Sequence, residues 1–336
     1  MSDMTPRERV LAAIDRKELD RPPVACFTQI ATMDVMDSVN IHWPEAHTNA
    51  QMMADLAAAP YKVWGVENAR LPFCLTVEAE VMGVRVDLGK EDRTPMVKAH
   101  AFDETNLPED IPADILTKGR IPVVIEAVKI AKEKYGDHLP IVVGTTGPFT
   151  IAGHLVGAEN LLLWCMINPD AVHQATKLAC KLEKAYLEAL DKAGADVINM
   201  SDPSASTDML AADMFDQFCK PYIREAFSGV ENAKKVLHIC GDTTVLLEHM
   251  IDAGMDGLSI EEKVSPEEAV SIVGDRAALI GNVGVVRPLL QGTPEEVAQN
   301  AQRVKKAGFH LVAPGCGLAA RVPLANLKAL ADTVKG

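Results

Sequence analysis

Short apolar runs alternate along the chain with longer amphipathic stretches. The runs are PPVACF (22–27), PIVVGTTG (140–147), DVINMSD (196–202), KVLHICGD (235–242), GLSIEE (257–262), ALIGNVG (278–284) and FHLVAPGCG (309–317). Most are rich in Val and Ile and end in Gly, Asp, Asn or Ser, the pattern of parallel strands buried on both faces. The stretches between them read as helices. Thr5-Pro6-Arg7-Glu8 is a capping box with proline at the first helical position, and Ser265-Pro266-Glu267-Glu268 and Thr293-Pro294-Glu295-Glu296 repeat it. Asn168-Pro169-Asp170 opens a helix expected to run to about Lys192. Helices stop at the glycines of KAGADV, DAGMDG and KAGFH.

This βα rhythm predicts an α/β fold, a (β/α)8 TIM barrel rather than a doubly wound sheet. The least distinct strand is expected between Tyr61 and Leu88. Residues 28–120 read as an irregular N-terminal elaboration within one domain spanning 1–336. A hairpin is expected over 78–88, turning near Met82-Gly83. No G-x-G-x-x-G opens a helix after a strand, and no Walker A sequence is present.

Composition narrows the function classes. The chain has 336 residues, 48% hydrophobic and 24% charged, enough apolar content for a large core. Its net charge of −14 argues against a nucleic-acid backbone or an anionic membrane surface as partner. The N-terminus lacks the apolar core of a signal peptide, and no apolar run reaches the roughly 18 residues of a transmembrane helix. The seven cysteines are odd in number and irregularly spaced. They are expected to be reduced thiols in a cytoplasmic protein.

In a barrel, chemistry sits at the C-terminal ends of the strands. The polar residues there are Gln29, Thr145, Thr146, Asp202, His238, Cys240, Glu261, Glu262, Asn282 and Cys316. Strand alternation turns His238 and Cys240 to the same side. Cys316 lies between two glycines at the end of the last predicted strand. One His and two Cys suit Zn2+, and three protein ligands leave the open position of a catalytic site. Two thiolates weaken the metal as a Lewis acid and leave a bound substrate sulfur nucleophilic, which favours alkyl transfer to a thiol. If Ser259 faces inward, Glu261 reaches the rim as a fourth donor. The residues alone leave a second reading open: His238 and Cys240 as core residues, and the two glutamates as solvated loop charges.

Together with CFTQ (26–29), WPEAHTN (43–49), GRIPVV (119–124), VLHICG (236–241), GLSIEEKV (257–264), IGNV (280–283) and APGCG (313–317), the chain resembles the methylcobamide:coenzyme M methyltransferases of the uroporphyrinogen decarboxylase superfamily. The resemblance implies a barrel with Zn2+ on His238, Cys240 and Cys316. It implies transfer of a methyl group from a methylated corrinoid (methylcobalamin type) to the thiol of coenzyme M, 2-mercaptoethanesulfonate, in methylotrophic methanogenesis. The SIE of 259–261 is similar to the stretch supplying a glutamate ligand in cobalamin-independent methionine synthase, which favours Glu261 over Glu262. No D-x-H-x-x-G is present, so a separate corrinoid protein is expected to bring the donor to the barrel mouth. The decarboxylases hold substrate carboxylates with arginines after the first strand, but CFTQIATMD (26–34) has none. Gln29, Asp202 and Asn282 are the candidate substrate-binding residues. Asp202 or Asp242 is also a candidate to fix the tautomer of His238, or else caps a strand end. Arg70, Arg120 and Asn282 are candidates for the sulfonate, with surface ion pairs the alternative for the two arginines. Homocysteine is the alternative thiol acceptor.

Overall fold

The computed structural model describes residues 4–336. It contains strands β1 (Ala69–Leu71), β2 (Arg85–Asp87), β3 (Met96–Ala99), β4 (Ile141–Thr146), β5 (Val197–Ser201), β6 (Lys234–His238), β7 (Gly257–Ile260), β8 (Ala278–Val283) and β9 (Leu311–Pro314). Seven of them pair in the order β1-β4-β5-β6-β7-β8-β9, every pair parallel. Segment 23–26 lies between the two edges and completes the barrel. On one side Val24 bridges Val312, with Ala25 N–H donating to Val312 O at 3.0 Å and Val312 N–H to Pro23 O at 3.1 Å. On the other side Glu67 N–H donates to Val24 O at 2.9 Å. The Asn68 amide there does the work of a peptide group. Its Oδ1 accepts from Cys26 N–H and its Nδ2 donates to Cys26 O, both at 2.9 Å.

Alternation along the strands sorts the barrel interior by height. Val142, Val197, Val236, Ala278 and Leu311, near the strand starts, form an apolar floor with Val10, Ala13 and Ile14 of helix Pro6–Ile14. Above this floor Asn199 and Arg70 are buried polar residues, and the strand ends bring Ser201, His238 and Ser259. The opposite strand faces pack against the surrounding helices in a second, larger apolar cluster.

Helix starts follow the sequence signals in three of four cases. Thr5 and Thr293 form full capping boxes with Glu8 and Glu296, and Asn168 Oδ1 accepts from Ala171 N–H at the head of helix Pro169–Ala193. At Pro266–Val273 the Ser265 hydroxyl instead bonds the Glu267 carboxylate at 3.0 Å, and no side chain caps the helix.

Two expectations shift. The hairpin is β2–β3, antiparallel with a register shift at Arg85/Val86, rather than 78–88. Val77–Glu80 is a helical turn that buries Val77, Glu78 and Ala79. Gly83, at φ 94°, reverses the chain after that turn rather than between strands. Residues 28–120 are also less irregular than expected, because they hold helix Ala50–Trp64 and β1, both parts of the barrel. No single helix among the described residues is long and apolar enough to cross a membrane.

Candidate metal centre

β6 ends at His238, in register with Ser201 of β5 and Ser259 of β7. The chain then turns through Gly241, whose φ of 89° lies in the left-handed region that glycine enters without strain. This turn leaves Cys240 just past the strand, on the same side as His238. Cys316 stands two residues beyond the end of β9. Cys240 Sγ lies 3.4 Å from His238 Nε2 and 3.6 Å from Cys316 Sγ. The three ligand atoms all lie within 4.8 Å of one another. Tetrahedral Zn2+ with ordinary bond lengths sets its ligand atoms about 3.6 Å (N to S) and about 3.8 Å (S to S) apart, so the trio has the span of such a site.

His238 Nδ1 lies 3.1 Å from both Ser259 O and Ser259 Oγ. With its proton on Nδ1 donated to Ser259 O, the ring turns the lone pair of Nε2 toward the cysteines. The thiols are electrostatically distinct. The hydrogen bond from Cys240 holds the Cys316 thiol below its ordinary range. The same bond, with burial, pushes Cys240 up. Two sulfurs sharing a proton, facing an imidazole lone pair, are a soft, electron-rich donor set that suits Zn2+.

Glu261 follows β7 directly and sits beside Gly241 and Cys240. Burial, and then the Cys316 charge, raise its carboxyl. It stands beside the trio without belonging to the compact three-atom group. Glu262 turns the other way, against Gly315 and Gly284, as alternation requires. A cavity of about 130 Å³ opens over the trio, lined also by Thr28, Gln29, Arg70 and Cys74.

The family profile described as uroporphyrinogen decarboxylase (URO-D) matches residues 5–336. The chain belongs to the uroporphyrinogen decarboxylase family. Within that family it is 41% identical over 331 residues to methylcobamide:CoM methyltransferase MtaA of Methanosarcina barkeri, covering 98% of this chain and 97% of that one. It is 35% identical over 337 residues to a methylated-thiol–coenzyme M methyltransferase of Methanosarcina mazei, covering 100% of this chain and 90% of that one. A solved methyltransferase from Methanosarcina mazei superposes with a TM-score of 0.95 at 41% identity, covering 99% of both chains.

In this family member the other candidate residues have mostly structural duties. Asp202 is fully buried, and its carboxylate accepts from Thr150 N–H (2.8 Å), Thr150 Oγ1 (2.6 Å) and Phe149 N–H (3.3 Å). It thus holds the head of helix Pro148–Val156 and does not orient His238. Asp242 accepts from Thr244 in its own turn. The residue that orients His238 is Ser259, a role the sequence reading did not assign. Asn282 donates to Glu261 O at 3.1 Å and Val264 O at 2.8 Å, clamping the loop that carries Glu261. The Gln29 side chain lines the cavity but bonds Ala31 and Leu318 O, joining 29–31 to the Cys316 turn. Arg70 is 2% exposed and has no ion pair among the described residues, while Arg120, 4% exposed, pairs with the part-exposed Glu80.

Proposed function

We propose that this protein transfers a methyl group from a methylated corrinoid to the thiol of coenzyme M. The observation that carries the reading is the His238–Cys240–Cys316 trio at the floor of a small cavity in the barrel mouth. The names of both relatives support coenzyme M as acceptor, and the 41%-identical one supports a methylcobamide donor.

His238 Nε2, Cys240 Sγ and Cys316 Sγ would hold a Zn2+ ion, which when bound lowers a thiol's pKa and keeps its sulfur nucleophilic. Ser259 keeps the proton on Nδ1 of His238 and so keeps Nε2 free as a donor. Glu261, beside the trio, would be the displaceable fourth donor, yielding its place to an incoming sulfur. Cavity walls fix the thiol where a methyl group presented at the mouth lies in line with it. In the transfer the S–C bond forms as the Co–C bond breaks, and the electron pair of that bond stays with cobalt. The thiol proton leaves to solvent. The corrinoid arrives on a separate protein, since this chain has no lower-ligand motif of its own.

Decarboxylation of a porphyrinogen is disfavoured by the absence of arginine from 26–34. The test is to measure zinc content and then follow methylcobalamin absorbance with and without coenzyme M. We expect stoichiometric zinc and thiol-dependent loss of the methyl–cobalt band. Demethylation with homocysteine but not with coenzyme M would overturn the reading. Cys316→Ala should lose zinc and activity together, and a variant keeping both would remove Cys316 from the site.

A further inference from the structure

Three arginines are buried in this protein, and two of them meet a carboxylate. Arg9 bonds Asp20 and Glu67. Arg120 donates from Nε to Glu80 at 2.5 Å, with Thr76 and Cys74 taking its other nitrogens. Arg70 differs. Its Nε donates to Phe27 O at 3.1 Å and its Nη1 to Pro72 O, both neutral carbonyls. Among the described residues no carboxylate lies within ion-pair distance of it, and Nη2 has no protein partner. Glu78, the acid that acts on it through space, has its oxygens on Thr146 N (2.8 Å) and Oγ1 (3.0 Å).

The fold makes room for this lone cation. Gly144 of β4 faces the barrel interior, and a Cβ there would run into Nη2 and Cζ of Arg70. The guanidinium occupies the space a side chain would fill, and Arg70 lines the same cavity as His238, Cys240 and Cys316. A buried guanidinium without a counter-charge is costly. Burial lowers Arg70 to about 10. Such a group suits an anion delivered by a ligand, and its planar fork matches an oxyanion with two equivalent oxygens.

We infer that Arg70 is the anion anchor of the cavity, binding the sulfonate of a short thiol whose sulfur reaches the Cys240–Cys316 end. This deepens the proposed function and rests on it. The cavity is therefore bipolar, with sulfur donors at one end and a fixed cation at the other. It selects a small thiol carrying a terminal strong anion. A neutral thiol gains nothing from Arg70, and an amino thiol is repelled by it. Of the other sulfonate candidates, Arg120 is neutralised by Glu80 and Asn282 is spent on the Glu261 loop. Arg70 acts as a binding and specificity residue and takes no part in bond making.

The test uses the purified metal-loaded protein and two readouts. The first is calorimetric titration with ethanesulfonate, which has the anion and no thiol. The second is the ratio of kcat/KM for 2-mercaptoethanesulfonate over 2-mercaptoethanol, with methylcobalamin as donor. We expect wild-type protein to bind ethanesulfonate and to prefer the sulfonate thiol. Arg70→Gln should weaken ethanesulfonate and lower the ratio by about tenfold or more, the usual weight of a charged hydrogen bond. Arg70→Lys should recover part of both. The ratio is insensitive to loss of folded protein. If Arg70→Gln fails to fold, Gly144→Ala, which displaces the guanidinium while keeping its charge, must lower the same ratio. An unchanged ratio in either folded variant, or wild-type protein that uses 2-mercaptoethanol equally well, overturns the anchor. Wild-type protein that binds ethanesulfonate but methylates no thiol would overturn the proposed function and leave the anion site standing.

Discussion

Glu183 is entirely buried on helix Pro169–Ala193, and neither of its oxygens has a hydrogen-bond partner. Burial, and then the charge of Glu78, push it well above the ordinary 4.5. The folded protein therefore keeps this proton at pH values where the unfolded chain has lost it. The contribution of Glu183 to stability therefore falls as pH rises from about the ordinary glutamate value through the raised one. Glu183→Gln has no such proton to hold and should gain on wild type as pH rises. Urea denaturation at pH 5 and pH 8 checks this, and a stability difference that stays constant with pH would contradict it. Sequence makes residues legible unevenly. His238 and Cys240 were readable because two positions along a strand is a local relation, and Cys316 because glycines flank it. Parity left open whether Ser259 faces inward, and its bond to His238 depends on the register of β6 against β7. The isolation of Arg70 depends on Gly144, far along the chain, and on where Glu78 and Glu80 turn, so no local pattern carries it.

Among the elements, the same T/S-P-E-E signature gives different outcomes at two helices. Thr293 accepts from Glu296 N–H while Glu296 reaches back to Thr293 N–H, so two otherwise unpaired donors are satisfied. Ser265 has turned its hydroxyl to Glu267. Thr293→Ala should therefore cost about 1 kcal/mol, and Ser265→Ala only a few tenths. Equilibrium unfolding of the two variants compares them directly, and equal losses would show that the caps are equivalent in solution. The long runs of Val and Ile were legible as strands because burial on both faces removes polar alternation. β1 was not distinct, since Ala69–Leu71 is three residues long and carries an arginine inward. The misplaced hairpin followed from Met82-Gly83, where a glycine with positive φ serves a helix end as readily as a strand turn.

For the whole molecule, the barrel was legible from the βα rhythm, but its closure was not. Among the described residues segment 23–26 makes one bridge, and its flank toward β1 relies on the Asn68 side chain. Asn68→Leu would leave Cys26 N–H and C=O buried and unpaired, at a cost of about 2–5 kcal/mol. Thermal unfolding should show that loss, while Asn68→Gln should lie between the two. A variant as stable as wild type would mean the seam is held elsewhere. The other seams of the barrel are built from peptide groups, which every amino acid carries, so their sequence can drift while the hydrogen bonds persist. At position 68 the bond resides in one codon's choice of side chain. An architecture of eight equivalent staves thus has an unequal inheritance: most joints survive almost any spelling, and one is written in a single word.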